Sequence, residues 1–168
     1  MRITIHRGTK EIGGTLIELE AGDSKVLLDA GYPLFLSSES IKDEVSTYPL
    51  VKLLEMGVLP DIKGLYKWDL PQFDAVIISH AHIDHYGLLR FINSAIPVYL
   101  SKGTNKIIEI SLLFGLYADF NMEFRYFEMY KAFNVKLFRI TPYLMDHSAF
   151  DASCIRNIIR GQDFNIYG

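Results

Sequence analysis

Cysteine is almost missing from this chain: Cys154 is the single one in 168 residues. An internal disulfide framework is therefore excluded, and a reducing compartment fits better than an oxidising one. Long hydrophobic runs are lacking too. No uninterrupted apolar stretch approaches the roughly 18–20 residues that a bilayer span needs. The start, Met1-Arg2-Ile3-Thr4-Ile5-His6, alternates where a signal peptide would be continuously apolar. The cytoplasm is the expected location, with no membrane partner. Positive charge is also short: 17 Lys and Arg against 20 Asp and Glu give a net charge of −3 and a pI near 5.9. Bulk charge therefore cannot grip a phosphate backbone, and any nucleic-acid role has to rest on a metal site, a further domain or local clusters.

What is present is core material and a run of strand-like segments. The hydrophobic fraction is 49%, with 10 Tyr and 11 Phe, enough for one globular domain. Residues 2–29 read as a β-meander: 2–7 alternates, Gly13-Gly14 turns the chain, 15–20 alternates again, and Val26-Leu27-Leu28 forms a buried strand that stops at Asp29-Ala30-Gly31. Ser46-Thr47 ahead of Pro49 signals a helix through Leu53 and Leu54 to Gly57, and Pro60, Gly64 and Pro71 keep the segment up to residue 73 as loop. Ala75-Val76-Ile77-Ile78 has the continuous apolarity of a strand covered on both faces. Beyond a histidine-rich turn, residues 86–92 resemble a helix and 97–100 another buried strand. One long helix is predicted from a cap near Ser101 or Thr104 through Leu112, Leu113 and Leu116 to about Phe133, and 135–140 alternates as a strand. Strands first, then strand–helix–strand units, imply an α/β sandwich with helices on its outer faces.

The chemistry concentrates in His80-Ala81-His82-Ile83-Asp84-His85. In a helix, side chains at i and i+2 diverge, but in an extended turn at a strand end they point the same way. The apolar strand before it delivers His80 and His82 in that form, so both can reach one ion, while Asp84 and His85 can diverge toward a neighbouring one. Imidazole with carboxylate suits zinc, manganese or iron. The blander reading is a polar turn whose histidines cap a helix, and three imidazoles at this spacing beside an aspartate are too rare by chance to favour it. Asp146-His147-Ser148 would be unremarkable alone, yet it offers the third histidine that the first cluster lacks. Asp29 reads equally well as a turn residue accepting backbone N–H groups or as the carboxylate that orients a ligand histidine. His6 is treated as an ordinary strand residue, and Tyr32, Tyr66 and Trp68 as packing residues.

His80-Ala81-His82-Ile83-Asp84-His85-Tyr86-Gly87 resembles the HxHxDH signature of the metallo-β-lactamase superfamily. Glu11-Ile12-Gly13-Gly14-Thr15, Leu28-Asp29-Ala30-Gly31 and Asp146-His147-Ser148-Ala149-Phe150-Asp151 together resemble the ribonuclease J and β-CASP branch of RNA-processing exonucleases. The resemblance implies that His80, His82 and His147 bind a first metal, that Asp84 and His85 bind a second with Asp84 as the catalytic carboxylate, and that Asp29 is the orienter. The implied cofactor is one or two zinc ions, with manganese or iron as substitutes. The implied reaction is hydrolysis of a phosphodiester, most naturally RNA, by a metal-activated hydroxide.

The chain departs from that family at its C-terminal end. The family continues from the third motif into an alternating strand and then a Gly-Asp whose carboxylate bridges both metals. Here Cys154-Ile155-Arg156-Asn157-Ile158-Ile159-Arg160 lacks clean alternation, the last residue is Gly168, and Asp163 is the nearest carboxylate. The expected fold is thus a metallo-β-lactamase αββα sandwich reduced to its N-terminal half: one domain over 1–168, C-terminally incomplete, with a weak second metal site. Its uncovered sheet edge would favour self-association. Two alternatives stand beside RNA hydrolysis: a metallo-hydrolase of a small ester, thioester or lactam, and a catalytically inactive metal-binding fragment.

Overall fold

The computed structural model describes residues 1–34, 45, 47–114, 122–159 and 162–166. Its first sheet has six strands in sequence order: β1 (Arg2–Arg7), β2 (Leu16–Ala21), β3 (Ser24–Leu28), β4 (Ala75–Ile77), β5 (Val98–Ser101) and β6 (Phe124–Phe127). β1, β2 and β3 pair antiparallel, and β3 to β6 pair parallel. Parallel neighbours require crossovers. These carry a short helix α1 (Leu50–Glu55), a helical turn α2 (Ile83–Tyr86) followed by a 3-10 turn (Leu89–Phe91), and α3 (Lys102–Leu113). The carboxyl ends of β3, β4 and β5 all open on the same edge of the sheet, which is where parallel sheets hold their functional loops.

Strand periodicity divides the interior in two. Leu27, Val76, Ile78, Val98 and Leu100 face the crossover layer with Leu53, Leu65, Leu89 and Ile108. Val26, Leu28, Ala75 and Ile77 face the other way, onto Phe127, Val135, Phe138, Ile140 and Ile155. Val76 and Ile77 are fully buried in opposite directions, each worth about 2 kcal/mol by area.

That second core is shared with a second layer. A four-stranded antiparallel sheet stands on the first, in the order β10 (Gln162–Ile166), β9 (Ser153–Ile159), β8 (Phe138–Leu144), β7 (Phe133–Val135). Among the described residues no helix follows it. β9 runs through the segment with no clean alternation because its inward positions include a polar residue: Asn157, opposite Ile140, is completely buried. Asp163 falls in β10, paired with Ile158.

Three expectations need correction. The long helix ends at Leu113, and Phe124–Phe127 is instead a strand beside β5; an aromatic run satisfies a sheet edge better than a helix face, and Leu116 lies outside the described residues. The strand over 135–140 is a hairpin, because Lys136 turns with φ 46° and returns Phe138 opposite Val135. The helix over 86–92 is only the two short turns already named. α1 starts directly after Pro49 with no side-chain cap, and Ser46 lies outside the described residues. Tyr32 and Tyr66 are buried in the crossover-side core, with Trp68 stacked on Tyr66 at 5.0 Å.

Candidate metal centre

The centre is built where β3 and β4 end. The chain leaves β4 extended, and His82 keeps φ −91° and ψ 142° before α2 begins. His80 and His82 therefore project to the same side. Their ring nitrogens, His80 Nε2 and His82 Nδ1, lie 3.1 Å apart. His147 arrives from the loop between β8 and β9, and its Nε2 is also 3.1 Å from His80 Nε2. All three donor atoms fall within 4.8 Å of one another. Bonds of about 2.0–2.1 Å to a tetrahedral ion put two donors about 3.3 Å apart, so the spacing fits a zinc-class cation held by three imidazoles.

Hydrogen bonding fixes which nitrogen each buried ring presents. The Asp29 carboxylate accepts the Ser79 N–H on Oδ1 (2.8 Å) and the Ser79 hydroxyl on Oδ2 (2.9 Å). Because that hydroxyl proton is committed to Asp29, the Ser79 oxygen accepts from His80 Nδ1–H at 2.9 Å. His80 Nε2 is left bare, facing His82 and His147. Asp29 Oδ2 also accepts from His85 Nδ1–H at 2.8 Å. His85 Nε2 is then free beside Asp84 Oδ2, 3.5 Å away. Asp29, Ser79, His80 and His85 are all buried, whereas His82 and Asp84 are half-buried and His147 is exposed.

The electrostatics follow. Burial, reinforced by His85, His82 and His147, pushes the His80 pKa down to about 3. Burial and then His147 likewise lower His82. Both rings are neutral at pH 7, the state in which imidazole is a ligand. For His85 burial acts downward, but the Asp29 hydrogen bond and the Asp29 and Asp84 charges outweigh it and leave its pKa raised.

Every residue expected at the site is here: His80, His82 and His147 in one cluster, Asp84 and His85 in an adjacent pair, and Asp29 behind His85. Ser79 went unseen in the sequence, and Gly31 stood out there only as part of a motif, without its role. Ser79 backs His80, and its place directly after an apolar strand was its only signal. Gly31 permits the fit, since a Cβ there would lie 1.8 Å from the Asp84 carbonyl oxygen. At that crossing Thr15 N–H donates to Asp84 O (3.1 Å), Ala30 N–H to His85 O (2.7 Å) and Tyr32 N–H to Ile83 O (3.1 Å), so a side chain would push the histidine turn off its support.

Two facing sheets with imidazoles gathered at the carboxyl ends of parallel strands are the layout of a histidine-built metal centre. Family profiles say the same: one described as Beta-lactamase superfamily domain matches residues 60–163, and Metallo-beta-lactamase superfamily matches 14–102. The chain belongs to the metallo-β-lactamase superfamily. It is 30% identical over 112 residues to the transcription termination factor FttA of Methanothermobacter thermautotrophicus, covering 65% of this chain and 15% of that protein. It is 29% identical over 115 residues to the ribonuclease TTHA0252 of Thermus thermophilus, covering 67% of this chain and 22% of that one. The chain thus spans less than a quarter of either relative. These relatives fit the RNA-processing branch that the motifs resemble. A crystal structure of a protein of unknown function from Enterococcus faecalis V583 superposes with a TM-score of 0.81 at 22% identity, covering 99% of this chain and 42% of that one. Among the described residues no helix is long and apolar enough to cross a membrane.

Proposed function

We propose that the protein is a metal-dependent phosphodiesterase acting on RNA in the cytoplasm, and that this chain supplies its metal centre. The observation that supports this most is the convergence of three imidazole nitrogens from two separate loops, His80 and His82 with His147, beside a carboxylate–imidazole pair. The ribonuclease named among the relatives supplies the substrate class.

In this reading His80, His82 and His147 hold the first ion, and Asp84 with His85 a second. What such ions supply is Lewis acidity and a water acidified to near neutrality, with zinc as the first choice and manganese or iron as substitutes. The rest is the work of the chain. Ser79 and Asp29 lock the tautomers of His80 and His85, so that both rings offer Nε2 without rearrangement. Asp84, half-buried beside the cluster, takes the catalytic role of accepting the proton of the attacking water.

The test is cleavage of a bis-aryl phosphodiester and of single-stranded RNA by metal-loaded protein, with the metal-stripped protein as control. Metal-dependent cleavage of both is expected. Turnover of a thioester or lactam with RNA untouched would replace the nuclease reading by the small-substrate one. Tight metal without any turnover would make the chain a binding fragment. Association through the unpaired edge of β1, where Ile3 and Ile5 are 43% and 51% exposed, would show as a dimer in solution.

A further inference from the structure

His147 is the ligand with the least support around it. Residues 144–150 are exposed or half-buried throughout, and Phe150 at the far side of the loop is 71% exposed. Packing therefore cannot set where this imidazole lies, although its Nε2 must sit 3.1 Å from His80 Nε2. Hydrogen bonds remain. Met145 N–H donates to Ala152 O (2.9 Å) and closes the base of the loop. The Ser153 N–H and hydroxyl both donate to Ser79 O, at 3.0 and 2.9 Å, fastening the start of β9 to the residue before His80.

The remaining anchor comes from Asp151. Its Oδ2 accepts the Gly103 N–H at 3.1 Å. Gly103 is the second residue of α3, whose first-turn N–H groups have no partner within the helix and carry its positive dipole end. Ser101 Oγ serves the next one, accepting from Thr104 N–H at 2.9 Å. Asp151 holds φ 60°, a left-handed conformation that aspartate tolerates better than most residues. The fit is tight from the other side as well, because a Cβ on Gly103 would lie 2.5 Å from Asp151 Oδ2.

We infer that Asp151 is a positioning residue for His147: seated on the α3 N-terminus, it sets where the third imidazole meets His80 and His82. This rests on His147 being a ligand, and the experiment separates the two ideas. The probe is Co2+, followed by its ligand-field absorption in the full chain, with thermal unfolding of the metal-free protein recorded alongside. His147→Ala should change the spectrum and weaken binding; an unchanged spectrum would remove the ligand reading and this inference with it. Asp151→Ala should weaken Co2+ about tenfold, the lower end for residues that support ligands, and leave metal-free unfolding nearly unmoved. Asp151→Asn, which keeps an acceptor oxygen and tolerates the same φ, should recover most of the loss, and Gly103→Ala should reproduce Asp151→Ala. In the His147→Ala background, Asp151→Ala should add nothing. If His147→Ala weakens binding but Asp151→Ala does not, or if the two losses simply add, Asp151 is not positioning His147.

Discussion

The two halves of the candidate metal centre are made in different ways. His80, just past the end of β4, and His85, in the helical turn α2, are buried, each with its back nitrogen bonded to Ser79 or Asp29. His147 stands on an exposed loop that hydrogen bonds alone hold in place. The buried half is preorganised by the same core that folds the sheet, so its geometry and the stability of the domain are one property. The exposed half is an attachment, with residues 144–150 exposed or half-buried throughout. A site assembled this way has a rigid floor and a separable third wall.

The sharpest way to break this contrast is to compare stability across it. Asp29→Ala should lower the unfolding free energy by about 3 kcal/mol, because it leaves the buried His85 and Ser79 donors without their acceptor. His147→Ala, at an exposed site, should stay within about 0.5 kcal/mol of the parent. Denaturant titration of the metal-free proteins measures both, and equal losses would erase the distinction. Next in size, His82→Ala should weaken metal binding about a hundredfold, or about 2.7 kcal/mol, read by metal content after dialysis; unchanged content defeats the ligand assignment. Ser79→Ala should cost about tenfold in metal affinity by freeing the His80 tautomer, with a competition titration as readout. A loss no larger than that from an exposed serine such as Ser148→Ala would show that Ser79 does not orient the ring.

The smallest effect lies away from the centre and tests whether buried charge elsewhere behaves like the floor. Glu18 in β2 is 5% exposed and accepts from His6 Nε2–H (2.8 Å) and from Lys25 Nζ (3.2 Å). Burial pushes its carboxyl up, but the His6 and Lys25 hydrogen bonds and charges outweigh that and hold it below the usual range. A carboxyl held low in the folded chain contributes stability that is complete above its unfolded pKa and is lost as pH falls through the folded one. Glu18→Gln should therefore cost about 1 kcal/mol at pH 7, and the gap should narrow as the pH falls below about 4. A gap that stays constant into acid would show that the pair carries no linkage.

Much of this was legible in the sequence. Periodicity located β1, β3, β4 and β5 and the histidine turn between β4 and β5, because both-face burial leaves a continuous apolar run and a ligand turn leaves a fixed spacing. The resemblance brought in Asp29 and His147 from far along the chain. What escaped lacks a periodic signature. Ser79, and the contact of Asp151 within its motif, depend on partners 50 and 48 positions away. The β7–β8 turn uses Lys136 in a left-handed conformation where glycine or asparagine would have announced it. β9 was hidden by Asn157, whose amide atoms are buried with no hydrogen-bond partner among the described residues, and β6 by an aromatic run that continues the helical pattern before it.

One oxygen links the whole floor. Asp29 Oδ2 receives both the Ser79 hydroxyl and the His85 ring, so it can lean toward one only by slackening its hold on the other. The His80 and His85 rings answer to a single carboxylate. A change aimed at either will be felt in both, and substitutions on opposite sides of Asp29 should not sum as independent parts.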